Sequence, residues 1–161
     1  MSMNTKWKKD LALGNLGEKV IAKYLRDNHG YKFISMNNTI DYDFILEKDG
    51  EQTQFEVKTD RWEHYTGVTT NNMFLEIRCN GKFSGVRATT AKYFIYYFPD
   101  HEKAYMIEVK ELLRLIQYNQ ELFTRREQSG DNGLVIGYTL NRIKNENLFT
   151  IFNIKKGPYW P

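Results

Sequence analysis

The sequence predicts an α/β (α+β) fold, a central mixed β-sheet flanked by helices. Three observations predict it. Residues 8–29 place Leu13, Leu16, Val20, Ile21, Tyr24 and Leu25 at three- and four-residue spacing, the period of a half-buried helix. Residues 31–59 then break into three β-like runs, two of them joined by Asp49-Gly50. Further on, the aromatic run Tyr93–Phe98 and the strand-like Tyr105–Val109 lead into a helical pattern at 110–118. Helix, strand cluster, then strand, strand and helix is the element order of a sheet covered by helices.

Taken in order, the helix at 8–29 stops at Gly30, a residue suited to the left-handed turn that closes a helix. The runs Tyr31–Ser35, Asp41–Glu47 and Gln52–Thr59 follow as strands, and Met73–Arg78 as another beyond a polar loop. Ser84 to Lys92 reads as a loop entering a short helix before the strand Tyr93–Phe98, whose rings belong to the core. Ser129-Gly130-Asp131-Asn132-Gly133 is the most turn-rich stretch, between the amphipathic helix at 110–118 and strands at 134–140 and 147–154.

A length of 161 residues suits one domain with one sizeable core. With 41% hydrophobic and 27% charged residues, the chain is neither membrane-like nor disordered in composition. A single cysteine, Cys79, excludes an internal disulfide and any multi-cysteine metal site, and suits a reducing compartment. No apolar run approaches a membrane span, and Met1 to Asp10 lacks the apolar stretch of a signal peptide. These features predict a cytoplasmic protein. The three histidines are far apart and have no zinc-ligand spacing. A net charge of +3 permits a nucleic-acid partner without requiring one.

The chemistry concentrates in Ile40 to Lys58. Asp49-Gly50 between alternating runs predicts a two-residue hairpin, so facing residue numbers sum to 99. Tyr42, Phe44 and Leu46 then face Val57, Phe55 and Thr53 on one mostly apolar side. On the other side Asp43 lies opposite Glu56, and Asp41 opposite Lys58. Opposed carboxylates repel each other, which is a poor choice for stability. A divalent cation reverses the sign, and Mg²⁺ takes hard oxygen ligands, often one or two carboxylates with water and phosphate oxygens. Lys58 shares the face of Glu56, where an amine can orient water, take its proton or offset charge on a phosphate. As plain structure, Asp-Tyr-Asp is turn chemistry and Glu-Val-Lys an exposed strand. The combination in register favours phosphodiester hydrolysis.

Asp43 followed thirteen residues later by Glu56-Val57-Lys58 resembles the PD-(D/E)xK nuclease superfamily signature. Tyr42 stands where that motif often has a proline. The whole resembles the small Holliday-junction-resolvase-like and phage-type endonucleases. The resemblance implies a restriction-endonuclease-like core of helix, three strands, helix and strand, at about 8–98, with an extension at 99–156 and a short tail at 157–161. It also implies a Mg²⁺-dependent deoxyribonuclease (Mn²⁺ substituting), with Asp43 and Glu56 as metal ligands and Lys58 as catalytic amine. DNA is the implied partner, branched or junction DNA included. Junction cutting would favour a homodimer, and phage origin a host-cell cytoplasm. Gly14-Asn15-Leu16-Gly17-Glu18 resembles the superfamily's first-helix element, with Glu18 as an outer acid. Independently of the resemblance, Glu18 lies at the edge of the helix's apolar arc, and Gly14 and Gly17 would let the helix approach a sheet closely.

Residues 59–92 are rich in polar and basic groups. Arg61, Lys82, Arg87 and Lys92 are candidates to touch nucleic acid, with Trp62, His64 and Tyr65 as aromatic neighbours. Asp60 most simply offsets Arg61. Thr89, Thr90 or Lys92 stands where the superfamily presents a polar group to the site. Arg125-Arg126 and the N-terminal Lys6, Trp7, Lys8 and Lys9 read most simply as solvated surface. A rival to the nuclease is a non-catalytic nucleic-acid-binding module on the same fold. Another is a small-molecule or protein-interaction domain, although no phosphate loop, nucleophile elbow or cofactor fingerprint supports one.

Overall fold

Helix α1 (Met3–His29) opens the chain and buries Leu13, Ile21, Ala22 and Leu25, the stripe that the sequence period marks. It ends at Gly30, whose φ of +71° costs glycine little. The structure is a computed structural model that describes residues 3–37, 39–130 and 133–155. The side chains of residues 3–11, His64 and Gly130 lie outside the description, and with them the N-terminal lysines and Trp7; so do Asp131, Asn132 and the expected tail.

Strands β1 (Lys32–Met36), β2 (Phe44–Lys48) and β3 (Glu51–Thr59) follow as an antiparallel meander. The β2–β3 turn has the two residues the sequence predicts, with φ of +53° at Asp49 and +80° at Gly50. Its register is also the predicted one, with Phe44 opposite Phe55 and Leu46 opposite Thr53. After β3 come the short helix α2 (Trp62–Thr66), β4 (Asn72–Cys79) and β5 (Lys82–Phe83). The chain returns through a 3-10 turn at Gly85–Arg87 to β6 (Tyr93–Phe98), antiparallel to β7 (Lys103–Glu108) and followed by α3 (Val109–Tyr118). β8 (Phe123–Gly130), β9 (Gly133–Asn141) and β10 (Thr150–Asn153) close the chain.

The fold is α+β, with a six-stranded mixed sheet ordered β1-β2-β3-β6-β7-β10 in which only β3 and β6 run parallel. β6 is buried on both sides. Ile95 and Tyr97 pack in the layer with α1, whereas Phe94, Tyr96 and Phe98 pack with Met73, Leu75 and Leu112. This explains its unbroken aromatic sequence.

Two expectations are corrected. One sheet was predicted, but β5-β4-β9-β8 form a second, four-stranded sheet. β8 went unseen because Thr124 to Ser129 is polar on both faces, so pairing with β9 alone makes it a strand. The parallel crossover from β3 to β6 takes the place of the helix that the resemblance implies before the core's last strand. It carries five-residue α2, the β4–β5 hairpin and a 3-10 turn instead. Among the described residues, no helix is long and apolar enough to cross a membrane.

Candidate active site

β3 outruns β2, and the candidate site lies in the notch this leaves. β3 pairs with β2 only as far as Phe55, while its other edge pairs with β6 from Phe55 to Thr59. The free edge of β3 beyond Phe55 therefore has backbone groups to satisfy. Asp43 meets that need. Its own N–H donates to Phe55 O at 2.9 Å, and its Oδ2 accepts the Val57 N–H at 2.6 Å. The expected ladder pair of Asp43 with Glu56 is thus replaced, because the chain leaves the ladder at Phe44 and the Asp43 carboxylate takes a strand's place. Asp41 is not opposite Lys58 either. Its carbonyl accepts the Thr89 hydroxyl at 2.6 Å and the Thr90 N–H at 2.7 Å, tying the approach to β2 to the approach to β6.

The acids still converge. α1 presses on the end of β3 at Gly17, where a Cβ would lie 1.9 Å from Thr59 Oγ1. Only glycine fits there, and the approach carries Glu18 to the notch. Gly14 has open space around it, so only one of the two predicted glycines has this role. Burial, and then the charge of Asp43, push the Glu18 carboxyl up to about 7. Burial and Asp43 also push Glu56 up to about 8, with Glu18 adding to the repulsion. Burial raises Asp43 as well, against the Val57 hydrogen bond and the Lys58 charge. The Thr89 hydroxyl reaches Glu56 Oε2 at 3.3 Å, so one hydroxyl proton is shared between Glu56 and the Asp41 carbonyl.

Lys58 alternates with the buried Val57 and Thr59 along β3 and so lies on the Glu56 side. Burial chiefly, and then Arg61, hold its pKa below the ordinary lysine value, while Glu76, Glu56 and Asp43 pull it up. Glu76 comes from β4 and was not a sequence candidate. It occupies an ordinary polar position in an alternating strand, so no local signal marks it. It heads the acids acting on Lys58 because the second sheet brings it there.

Beyond Lys58 opens a cleft of about 660 Å³. Asp60, Arg61, Trp62 and Tyr65 line it on the α2 side, and Asn72, Phe74, Arg126, Gln128 and Thr139 line it from the second sheet. Asp60 accepts the Glu63 N–H at 3.4 Å and so helps to start α2. The charges acting on the Asp60 carboxyl are those of Glu63, Asp100 and His101.

No family model matches the chain, and neither does any curated protein. Among solved structures, a bacterial homing endonuclease, I-Ssp6803I, is similar at 12% identity and a TM-score of 0.45. The similarity covers 63% of this chain and 70% of that one.

The fold brings Glu18, Asp43, Glu56, Lys58 and Arg61 together. It does not bring the other three basic candidates to the cleft. Lys82 is on β5, which pairs with the Arg78–Cys79 end of β4, whereas the cleft lies at the Asn72–Phe74 end. Arg87 stacks on Phe83 at 4.5 Å and lines a separate groove with Leu113 and Ile116 of α3. Lys92 pairs with Glu51 at 3.3 Å, at the hairpin end of β3. Lys82 and Arg87 are carried off because the crossover from β3 to β6 first builds half of a second sheet, whereas Lys92 stands at the start of β6, at the far end of β3 from the cleft. Conversely, Arg126 is a cleft residue that local sequence read as solvated surface. Its neighbour Arg125 pairs with Glu127 at 2.5 Å.

Among the described residues, no group of three or more His, Cys, Asp or Glu side chains is arranged to hold a metal ion. The Asp43 charge acts on Glu18 across the notch. Asp43 and Glu56 are two hard oxygen donors; burial raises both, and the Asp43 charge raises Glu56 further. Such a pair fits Mg²⁺, which completes its shell with water and phosphate oxygens.

Proposed function

We propose that the chain is a metal-dependent deoxyribonuclease of the PD-(D/E)xK kind, hydrolysing phosphodiester bonds of DNA. The observation that carries this reading is the notch itself. Three carboxylates share the free end of β3, where burial and then the Asp43 charge push Glu56 up to about 8, and Lys58 is beside them. Uncompensated acid crowding costs stability, and sites that do chemistry are where such costs concentrate.

Asp43 and Glu56 are the side chains that would hold a divalent cation. Such an ion, when bound, supplies Lewis-acid stabilisation of charge on the phosphate. Lys58 faces the same space, where its amine holds or accepts the proton of the attacking water. Water adds at phosphorus, the ester P–O bond breaks, and the leaving oxygen takes a proton. Glu18 is a positioning group, keeping Asp43 and Glu56 in an acidic field that favours a cation between them. Thr89 fixes the Glu56 carboxyl and, through the Asp41 carbonyl, the chain segment that delivers Asp43.

The test is cleavage of labelled linear duplex, single-stranded, flap and four-way-junction DNA with Mg²⁺, Mn²⁺ or EDTA. Metal-dependent cutting abolished by Lys58→Ala and Glu56→Ala is the expected result. Binding of DNA with no cutting under any metal would replace the nuclease with a non-catalytic binding module.

A further inference from the structure

The cleft beside Lys58 differs from a surface that only tracks a duplex backbone. Its α2 wall carries Trp62, 59% exposed, and Tyr65, 45% exposed. Tryptophan is usually well covered in folded proteins, so a ring this open at the mouth of a cleft needs an explanation. The two residues are three apart, which makes them neighbours on one side of α2. The platform is held firmly for so short a helix. Asp60 accepts the Glu63 N–H, Gly67 closes the helix at φ +66°, and His101 meets Glu63 at 2.5 Å, pinning α2 to the turn between β6 and β7. Across the cleft, β8 and β9 present Arg126, Gln128 and Thr139. Arg61 stands at the Lys58 end, close enough to depress the lysine.

We propose that this cleft binds an unpaired DNA strand, with bases stacked on Trp62 and Tyr65 and phosphates held between Arg61 and Arg126. The proposal rests on the nuclease reading above and names its substrate class. Three physical points support it. Base–aromatic stacking needs a free π-face, and in a duplex those faces are covered by neighbouring base pairs. A cleft of about 660 Å³ is of the size that encloses a small molecule, so it has room for one or two nucleotides. Cations lie on both walls, which suits a single backbone threading between them more than a broad basic face laid along a groove. Gln128, Thr139 and Asn72 add neutral hydrogen-bonding groups to the lining. The strand's path leads to Lys58, so an unpaired segment is delivered to the notch.

The experiment is fluorescence anisotropy of a labelled oligothymidylate and of a duplex of equal length. It uses the full chain in EDTA over a salt series, with Trp62→Ala, Trp62→Phe, Tyr65→Ala and Arg126→Ala. The expected result is tighter binding of the single strand than of the duplex. Trp62→Ala should weaken the single strand by about 5- to 150-fold, the range for loss of one stacked base, while Trp62→Phe recovers most of it. Arg126→Ala should reduce the slope of log affinity against log salt by about 0.7, as for one lost phosphate contact to a single strand. Trp62 is exposed, so its replacement should leave the circular dichroism unchanged. Equal affinity for duplex and single strand, or unchanged affinity in both Trp62→Ala and Tyr65→Ala, would overturn the proposal. Failure of the nuclease reading is separate. It would appear as Mg²⁺-dependent cutting that survives Glu56→Gln, or as no cutting at all, while the anisotropy still reports the strand's path.

Discussion

Replacing Glu56 with glutamine should make the protein more stable, increasingly so as pH rises. The carboxyl of Glu56 titrates at about 8 in the folded chain against an ordinary 4.5, because burial and Asp43 disfavour its charge. Below the ordinary value the group is protonated in both folded and unfolded chains and costs nothing. As pH rises from there, the unfolded chain ionises first, so stability drains away until the folded group ionises too. Each pH step across that window is worth about 1.4 kcal/mol, which makes the whole effect on the order of 5 kcal/mol. Domains of this size have only about 5–15 kcal/mol in total. Glutamine cannot ionise, yet its amide oxygen can still accept from Thr89. The assay is urea unfolding of both chains in EDTA, from about pH 5 to 8.5, plotted as the difference between them. The difference should start at about 1 kcal/mol or less and rise to on the order of 5 kcal/mol by the upper end. A flat difference, or a variant less stable than the parent at the upper end, would refute the crowding on which the site is argued.

Other outcomes follow from the same geometry. Mg²⁺ titrated near pH 7.5 should release protons and raise Tm, both effects being lost in Asp43→Asn/Glu56→Gln; calorimetry in buffers of different ionisation heat checks it. Asp43→Asn alone should keep the parent's unfolding free energy within about 1 kcal/mol, because the amide oxygen can accept the Val57 N–H, while DNA cutting disappears. Gly17→Ala should destabilise by about 1–3 kcal/mol despite better helix propensity, since its Cβ would lie 1.9 Å from Thr59 Oγ1; Gly14→Ala, in open space, should stabilise by up to about 1 kcal/mol. Arg142 is only 3% exposed and donates to Tyr105 Oη at 2.6 Å and Asn71 Oδ1 at 2.9 Å, so Arg142→Met should cost about 2–4 kcal/mol in urea unfolding.

Local chemistry made much of the fold legible. Asp49-Gly50 determined a hairpin and its register because both positions need positive φ and alternation decides which face is buried. Tyr93–Phe98 determined a strand covered on both sides, since no solvated face tolerates six such residues in a row. The period of α1 and the glycine at its end determined a helix and its stop. Asp43, Glu56, Lys58 and Glu18 could be picked out because carboxylates near one another, with an amine two residues on, are costly without a purpose.

Only tertiary structure decided how these groups meet. The opposed pair expected from the hairpin is replaced by a carboxylate standing in for a missing strand, because β2 stops at Phe44 while β3 continues. That length mismatch is not a local property of either segment. Glu76 and Arg126 reach the site from β4 and β8, strands of a sheet whose pairing is long-range. Lys82 and Arg87 are led away by the same sheet, and Lys92 by its place at the start of β6, beside the hairpin end of β3. The sequence by itself determined which residues could do chemistry, through their types and short-range spacing. Which of them share one notch was decided by strand lengths and by the second sheet, since contacts between distant segments follow from the packing of the whole chain.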